Sequence, residues 1–315
     1  MEVTISVNEE AIPYIEVSSK QSRDHGSFRS TINLIEEFDK RDHDITIIHP
    51  RQIYSNNGII CTPYQYMFKD GKLIKKEGED SISGDVFYVN HVAEDSMNYS
   101  LISDFINSLY SIEKQVNLMV NDASSNSYRS KEKQRNLPLP WIKSYSINLK
   151  DGLEDLLEQG TKIIAKPKIG SRSMGIHYFD GLESLSCFDC SLIEDYMFEQ
   201  YMSEQVEKRY VFLDGDIIMA RVIEKVGKPG KEKGGKKMVN SNPSPKELDI
   251  VKTVADMTGM FYGCVDFRQG RVMEINSSST SVTSGGGSPQ VNGYYGNLLY
   301  NLKSKVVDAI EKKAR

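Results

Sequence analysis

Residues 259–283, GMFYGCVDFRQGRVMEINSSSTSVT, carry the pattern that decides the fold. Two short apolar runs, Met260 to Phe267 and Arg271 to Ile275, flank the turn Arg268-Gln269-Gly270. Apolar runs of this length around a Gly-containing turn predict a β-hairpin.

Three side chains with oxygen atoms lie on this predicted hairpin: Asp266 in the first strand, and Glu274 and Asn276 in the second. Glu274 and Asn276 are two residues apart, so they point to one face of a strand, and Asp266 can reach that face from across the hairpin. Two carboxylates and an amide oxygen form a hard site that suits Mg²⁺ bridging phosphates. Taken alone, the three residues are equally consistent with a solvated hairpin face, because acidic residues are common on exposed strands.

Composition narrows the class of protein. The 315 residues are enough for two or three domains. A net charge of −5 leaves no basic excess for nucleic acid. No apolar run approaches the length of a membrane span, and MEVTISVNEE does not resemble a signal peptide. Four cysteines predict a reducing cytoplasm; the Cys187-Phe188-Asp189-Cys190 pair is expected to be incidental, with redox or metal use as the alternative.

Residues 1–121 alternate strand and helix patterns, which predicts a small α/β domain with parallel strands. Strand patterns cover 2–7, 45–48, 85–89 and 116–120, helical patterns cover 28–41 and 101–112, and 58–75 is predicted to be a hairpin excursion. Ligands of such sheets bind beyond the carboxyl ends of the strands, so the loops after Val7, His49 and Asn90 are candidates. Residues 121–138 are polar and basic without core periodicity, and they predict a linker or domain boundary.

A buried strand at 162–165 ends in Lys166-Pro167 and is followed by a loop with two Gly and two Ser before a strand at 176–179. Such a loop suits closure over phosphates, although many are simple turns. A Lys at the end of an apolar strand needs a partner, and a phosphate oxygen would serve. His177, beside this loop, is expected to be structural.

The next region is predicted to begin with a strand at 191–202. A hairpin follows, in which residues 207–213 pair with 216–223 around the turn Asp214-Gly215, and this pairing places Arg209 and Arg221 on neighbouring strands. Residues 224–245 hold six Lys and four Gly and predict a basic loop, either a solvated linker or a lid that brings positive charge to anions. Helices are predicted at 245–258 and 298–310.

In this order, the segments IIAKPKIGSRSMG, EQYMSEQVEKRYVFLDG and GCVDFRQGRVMEINSSST resemble the ATP-grasp superfamily. Within it the chain is similar to bacterial glutathione synthetase and the related ribosomal-protein glutamate ligases. The resemblance is strong after residue 160 and loose before it. The matching positions are Lys166-Pro167, Glu207-Lys208-Arg209, Asp266 and Glu274-Ile275-Asn276, with Arg41-Asp42-His43 and Val120-Asn121 in the first part of the chain.

The resemblance implies an α/β ATP-grasp fold, in which an N-terminal parallel α/β domain at 1–121 precedes two α+β lobes, 122–205 and 206–315, that clasp ATP. It implies an ATP-dependent ligase that joins a carboxylate to an amine through an acylphosphate, acting on an amino acid or small peptide. The implied cofactors are ATP and Mg²⁺, with Mn²⁺ as the alternative metal. The implied oligomer is a dimer or tetramer of identical chains.

The resemblance also assigns residues. The metal ligands would be Asp266, Glu274 and Asn276, and the oxyanion would be stabilised by Arg209 or Arg221. Lys166, Gly170, Ser171, Ser173 and Gly175 would contact phosphates, together with Lys131 or Lys133 from the shortened linker. Adenine would contact the segment Glu199, Gln200, Tyr201 and Met202, and the substrate would contact Asn90, Ser277, Ser278 and Ser279.

Two departures from the glutathione synthetase pattern concern the substrate. Asn90-His91-Val92-Ala93 stands where that family has Arg-Lys-Asp-Pro-Pro, and Ser277-Ser278-Ser279-Thr280 stands where it has Val-Thr-Ser-Pro-Thr. We therefore expect nucleotide chemistry with a different acid or amine. The alternatives are glutathione synthetase proper, a non-catalytic ATP-binding regulatory protein, and an ATP-grasp kinase.

Overall fold

The computed structural model describes residues 1–7, 12, 15, 29–89, 99–147, 150–169, 175–203, 206–226, 233–239, 242–277 and 303–315. Its strands form three sheets that follow one another along the chain. None of the helices in these ranges is long and apolar enough to cross a membrane.

The first sheet has seven strands in the order β3-β4-β2-β1-β6-β7, with β5 added beside β4. Strands β2, β1, β6 and β7 run parallel because helices α1 and α2 provide the crossovers, whereas β3, β4 and β5 are antiparallel. The elements are β1 (Glu2–Ser6), α1 (Arg29–Lys40), β2 (Asp44–Ile48), β3 (Tyr54–Asn56), β4 (Ile59–Lys69), β5 (Lys72–Ser81), β6 (Gly84–Tyr88), α2 (Tyr99–Ile112) and β7 (Val116–Val120).

The segment after β7 corrects a sequence prediction. Residues 121–138 are packed rather than a plain linker, and they include α3 (Ala123–Ser127) and α4 (Lys131–Arg135). Ser130 caps α4 by accepting a hydrogen bond from the Lys133 N–H. Helices of one turn bury too few apolar residues to show a periodic pattern, so the sequence alone did not reveal them.

The second sheet is antiparallel, with order β10-β9-β11-β8. Its core includes Leu153, Ile163, Phe179 and Phe198. The predicted strand at 191–202 is wrong in its first half, because residues 190–195 form a 3₁₀ helix before β11 begins. The elements are β8 (Ser144–Tyr145), α5 (Lys150–Glu158), β9 (Ile163–Pro167), β10 (His177–Phe179) and β11 (Tyr196–Gln200).

The third sheet is antiparallel, with order β14-β13-β12-β15-β16. Its last two strands are the hairpin predicted from residues 259–283. The basic loop predicted at 224–245 is wrong in part, because residues 233–239 form a strand paired with β13; residues 227–232 lie outside the described ranges. The elements are β12 (Val206–Leu213), β13 (Asp216–Val226), β14 (Lys233–Val239), α6 (Pro245–Thr258), β15 (Tyr262–Arg268) and β16 (Arg271–Asn276).

One hydrophobic core joins the first and third sheets. It combines Val3 and Phe38 with Val211 and Phe261, and a last helix, α7 (303–314), adds further side chains to it. The polar side of α7 is held by Arg41, whose guanidinium contacts Asp308 at 2.6 Å and Glu311 at 3.2 Å. The apolar contributions from α7 are Val306, Val307 and Ile310.

Candidate functional site

A row of charged side chains crosses the third sheet. Arg221 of β13 pairs with Arg209 of β12, Arg209 pairs with Asp266 of β15, and Asp266 pairs with Glu274 of β16. Residues directly opposite each other on neighbouring strands project from the same face. Asn276, two residues after Glu274, shares that face, and its Nδ2 donates to Asp266 Oδ2 at 3.5 Å. The sheet therefore brings together all three predicted metal ligands and both predicted catalytic arginines.

Asp266 is almost fully buried and is held by Arg209 in a two-point contact, Nε to Oδ1 and Nη2 to Oδ2, the latter at 2.6 Å. Burial by itself lowers the pKa of the Arg209 guanidinium, but Asp266, Cys264 and Glu207 together outweigh burial, so that pKa lies above its ordinary value. Glu207 lies 3.8 Å from Arg209 Nη2 and 3.7 Å from Arg268 Nη2. Arg209 therefore stays charged at any physiological pH.

The absence of a side chain at Gly263 allows Phe212 of β12 and the backbone of β16 to pack closely beside this row. A Cβ at Gly263 would lie 2.9 Å from the Asn276 carbonyl oxygen and 2.9 Å from the Phe212 ring. Any larger residue would push β16 away from β15. The glycine three residues before Asp266 is therefore a packing requirement of the hairpin that carries the candidate ligands.

The oxygen donors fit a divalent cation. Asp266 and Glu274 supply hard carboxylate oxygens, and rotation of the Asn276 amide presents its oxygen to the same place. Within the described ranges, no three or more His, Cys, Asp and Glu side chains form a group that could hold a metal. A cation at this face would thus complete its coordination with Asn276 and with oxygen atoms of a bound anion. Arg209 already neutralises the Asp266 carboxylate, so these residues supply little net negative charge. A cation would therefore bind here more readily together with phosphates, which bring negative charge of their own.

Opposite this row lies a buried group of one carboxylate and two cations. Lys166, at the end of β9, places Nζ 2.7 Å from Glu199 Oε2, and Arg135 of α4 contacts Glu199 Oε1. Glu199 is wholly buried on β11. Burial lowers the pKa of Lys166 to about 8; Glu274 opposes this change, while Arg135, Lys131 and Arg268 add to it. Burial lowers the pKa of Arg135 to about 10.

The two linker lysines point in different directions. Lys131 Nζ lies 3.6 Å from Glu274 Oε1, beside the candidate metal ligands. Lys133 contacts Ser127 and lies 4.5 Å from the centre of the Tyr128 ring. Lys131 is therefore the one that shares the face of Glu274.

The predicted phosphate loop and adenine segment are described in part. Gly175 adopts a positive φ of 68°, which favours glycine. A Cβ at this position would lie 3.0 Å from Pro167 Cγ, so packing against β9 also disfavours a larger residue. Tyr201 packs edge-on against Tyr178, and the Met202 carbonyl accepts from Arg268 Nη1 at 3.4 Å. Gln200 is exposed at the end of β11. Gly170, Ser171 and Ser173 lie outside the described residues.

Of the predicted substrate residues, the structure describes Ser277. It is buried, and its carbonyl oxygen accepts a hydrogen bond from Asn121 Nδ2. Asn90, Ser278 and Ser279 lie outside the described residues. His177 packs among Phe179, Phe188 and Tyr196, and burial lowers its pKa.

Sequence reasoning gave no role in the site to three residues that hold it together. Arg135 balances Glu199, Gln134 binds the backbone of Ile275, and Asn121 binds the backbone of Tyr262. The first two lie in a polar, basic stretch whose composition resembles solvated linkers. Asn121 carried two sequence signals: its match to the family pattern as Val120-Asn121, and its position directly after a strand, where Asn favours the left-handed backbone (φ 56°) that it adopts here.

Comparison with solved structures shows the fold. The ATP-grasp ligase PsnB, complexed with a minimal precursor, matches with a TM-score of 0.62 at 14% identity, covering 100% of this chain and 99% of that one. The macrocyclase MdnC from Microcystis aeruginosa MRC, bound with its precursor peptide MdnA, matches with a TM-score of 0.58 at 13% identity, covering 99% and 100%. The D-alanine–D-alanine ligase from Bacillus anthracis matches with a TM-score of 0.55 at 15% identity, covering 100% and 97%.

No family model matches the chain, and no curated protein matches its sequence. The chain has the ATP-grasp fold, as predicted, and the match extends over its whole length. The similarity to glutathione synthetase and to the glutamate ligases stays a prediction.

Proposed function

We propose that the chain is an ATP- and Mg²⁺-dependent ligase that joins a carboxylate to an amine through an acylphosphate. One observation carries the proposal. Cations from the second sheet and α4 face carboxylates of the third sheet, with Lys131 Nζ 3.6 Å from Glu274 and Lys166 close enough for Glu274 to act on its pKa. A triphosphate needs this combination, because lysines neutralise its oxygens while carboxylates hold the bridging cation.

Each group then has a role in the proposed reaction. Asp266, Glu274 and Asn276 would hold Mg²⁺, which when bound neutralises phosphate charge and orients the triphosphate. Lys166 and Lys131 would contact phosphate oxygens, and the segment Glu199 to Met202 would contact adenine. Arg209, already fixed by Asp266, would stabilise the oxyanion that forms when the amine attacks, with Arg221 beside it.

The proposed substrate is an amino acid or a small peptide. Support comes from the solved structures that share the fold, since PsnB and MdnC were each captured with a precursor peptide. The departure from the glutathione synthetase pattern at Asn90 favours a different acid from γ-glutamylcysteine. The proposal includes the three-domain division at residues 121 and 205, a cytoplasmic location and a homo-oligomer.

ADP release measured against a panel of amino acids and short peptides, with and without an amine, tests the reaction class. A ligase gives a product with a new amide bond, identified by mass, only when acid and amine are both present. A phosphorylated product that persists with the amine present would indicate a kinase. No ADP release with any pair would indicate a regulatory protein.

A matched pair of variants ties the activity to the site. Asp266→Asn should lower ADP release by about 100-fold or more, because a neutral amide holds a cation far more weakly than a carboxylate does. Asp216→Asn makes the same chemical change at an exposed position at the start of β13 and should leave the rate unchanged. Equal rates for the two variants would contradict the metal assignment.

A further inference from the structure

Gln134 binds the third sheet as a neighbouring strand would. Its side chain is buried on α4, and Oε1 accepts from the Ile275 N–H at 3.0 Å while Nε2 donates to the Ile275 carbonyl at 2.7 Å. The second hydrogen on Nε2 goes to the Tyr128 carbonyl at 2.6 Å. One amide thus satisfies both backbone groups of a single residue, which is the pairing found between antiparallel strands.

Ile275, whose backbone Gln134 binds, lies between two candidate metal ligands. Ile275 is preceded by Glu274 and followed by Asn276, and its own side chain is buried on the opposite face of the sheet with Val265 and Phe267. β16 is the last strand in the order of the third sheet, and among the described residues its outer edge meets only a single β-bridge, between Trp141 and Val272. Gln134 therefore fixes from outside a strand whose inner side is held by β15.

Three other hydrogen bonds continue along the same edge. The Val272 N–H donates to the Pro140 carbonyl at 3.0 Å, and the Val272 carbonyl accepts from the Ile142 N–H at 3.2 Å. Arg135, the residue after Gln134, donates to the Met273 carbonyl at 3.4 Å. Gln134 contributes the contact to Ile275, the residue that lies between the two ligands.

We infer that Gln134 is a positioning residue that holds Glu274 and Asn276 in the arrangement needed to bind the metal–nucleotide complex. This inference rests on the proposed function. Sites of this kind need their ligands held to within about 0.5 Å, which depends on the groups that support them. Loss of an outer contact to a metal ligand typically costs about 10–100-fold in affinity or activity. Gln134 touches the strand backbone rather than the reacting groups, so it acts through Glu274 and Asn276.

Two variants separate positioning from packing. Gln134→Met keeps the length and apolar volume and removes all three hydrogen bonds. Gln134→Glu keeps the acceptor for the Ile275 N–H but, when ionised, has no donor for the Ile275 carbonyl; protonation restores that donor. Burial beside carbonyl oxygens raises the pKa of such a carboxyl. The matched control is Gln115→Met, because Gln115 Oε1 also accepts from a strand N–H, that of Ile60 at 3.1 Å, far away in the first sheet.

The first measurement needs no ligand. Hydrogen exchange of the peptide that contains the Ile275 N–H should be at least tenfold faster in Gln134→Met than in the wild type and unchanged in Gln115→Met. The second measurement is calorimetric affinity for a non-hydrolysable ATP analogue with and without Mg²⁺. The gain in affinity from Mg²⁺ should fall by about tenfold or more in Gln134→Met, with metal-free affinity much less affected.

The pH dependence of Gln134→Glu supplies a readout that packing alone would not change. Its deficit in Mg²⁺-dependent affinity, taken as a ratio to the wild type at each pH, should shrink from pH 8 to pH 6. The charged groups nearest to the introduced carboxylate are Lys131, Arg135 and Glu274, and the ratio removes the pH dependence that the wild type shows by itself. Gln134→Met should show a constant deficit over the same range.

The outcomes distinguish this inference from the proposed function. A wild type whose nucleotide affinity does not respond to Mg²⁺ would overturn the proposed function, and the role of Gln134 with it. A wild type that responds, with a Gln134→Met protein that responds equally, would overturn the role of Gln134 alone. If Gln134→Met does not fold, a Gln134→Glu deficit that stays constant with pH would overturn it.

Discussion

The buried ammonium of Lys166 gives a prediction that can be worked out from the structure. Burial lowers the pKa of Lys166 to about 8, with Glu274 opposing and three nearby cations adding to the effect. A phosphate binds the charged form of a lysine. Nucleotide binding above pH 8 must therefore be coupled to uptake of a proton, and affinity should fall about tenfold for each pH unit above that pKa. Between pH 7 and pH 9 the wild type should lose about tenfold in affinity.

Calorimetry with a non-hydrolysable ATP analogue and Mg²⁺ measures this directly. Titrations at pH 9 in two buffers of different ionisation enthalpy should show uptake of about one proton per nucleotide bound. Lys166→Arg keeps a permanent charge, so its affinity should change much less over the same range. Lys166→Ala should bind about tenfold or more weakly at pH 7, because a charge-assisted hydrogen bond is worth about 1.5–3 kcal/mol.

The control is Lys150→Arg, at an exposed lysine of α5 that pairs with Glu154 at 2.9 Å. It should keep the pH profile of the wild type. A wild-type affinity that stays constant from pH 7 to pH 9, or a Lys166→Arg profile that falls as steeply as the wild type, would refute the reasoning about Lys166.

Three further predictions concern other residues. Glu199→Gln should lower the free energy of unfolding by about 3–5 kcal/mol, because it leaves Lys166 and Arg135 buried without their carboxylate. Glu154→Gln, at the surface, should change the free energy of unfolding by about 0.5 kcal/mol or less, and urea denaturation measures both values. Asn121→Ala and Asn121→Gly both remove the hydrogen bonds to Tyr262. The alanine must also adopt a φ of 56°, so the alanine variant should be less stable than the glycine variant by about 1 kcal/mol. Equal stabilities would show that the variants do not retain the left-handed backbone. γ-Glutamylcysteine and glycine at millimolar concentration should give little ADP release, and efficient formation of glutathione, confirmed by mass, would contradict the substrate argument based on Asn90.

Periodic elements were the part of the fold that the sequence could predict. The hairpin of β15 and β16, the first parallel strands and α6 each bury several apolar residues at a regular spacing, and all were found where expected. α3 and α4 lack such a spacing because they pack through amides and hydroxyls, so they were missed. The sequence predicts a loop in place of β14, because the segment Lys233 to Lys237, with three Lys and two Gly, lacks a clear strand pattern.

For the candidate site, residues close together in sequence could be placed from their spacing. Contacts between residues far apart in sequence could not be predicted. The alternation of Glu274 and Asn276 predicted a shared face, and the register of the strands brings Asp266 and Arg209 to the same row. The sequence left both Lys131 and Lys133 as candidates for the phosphate contact. Only the directions of their side chains on a single helical turn separate them. Arg135 meets Glu199 across 64 positions of sequence, and no local pattern marks such a pair.

The helix at 303–314 has a consequence for biosynthesis. The parallel sheet has all of its strands once residue 120 has been made, yet its apolar face is completed by side chains of β12, β15 and this last helix. At about 5–20 residues per second, a ribosome needs on the order of ten seconds or more to go from residue 120 to residue 303. During that interval Val3, Ile5 and Phe38 lack part of their covering, which leaves apolar surface of the nascent chain exposed. A single charged substitution at Val307 should prolong that exposure and reduce yield in cells more than it reduces the activity of the purified, folded protein.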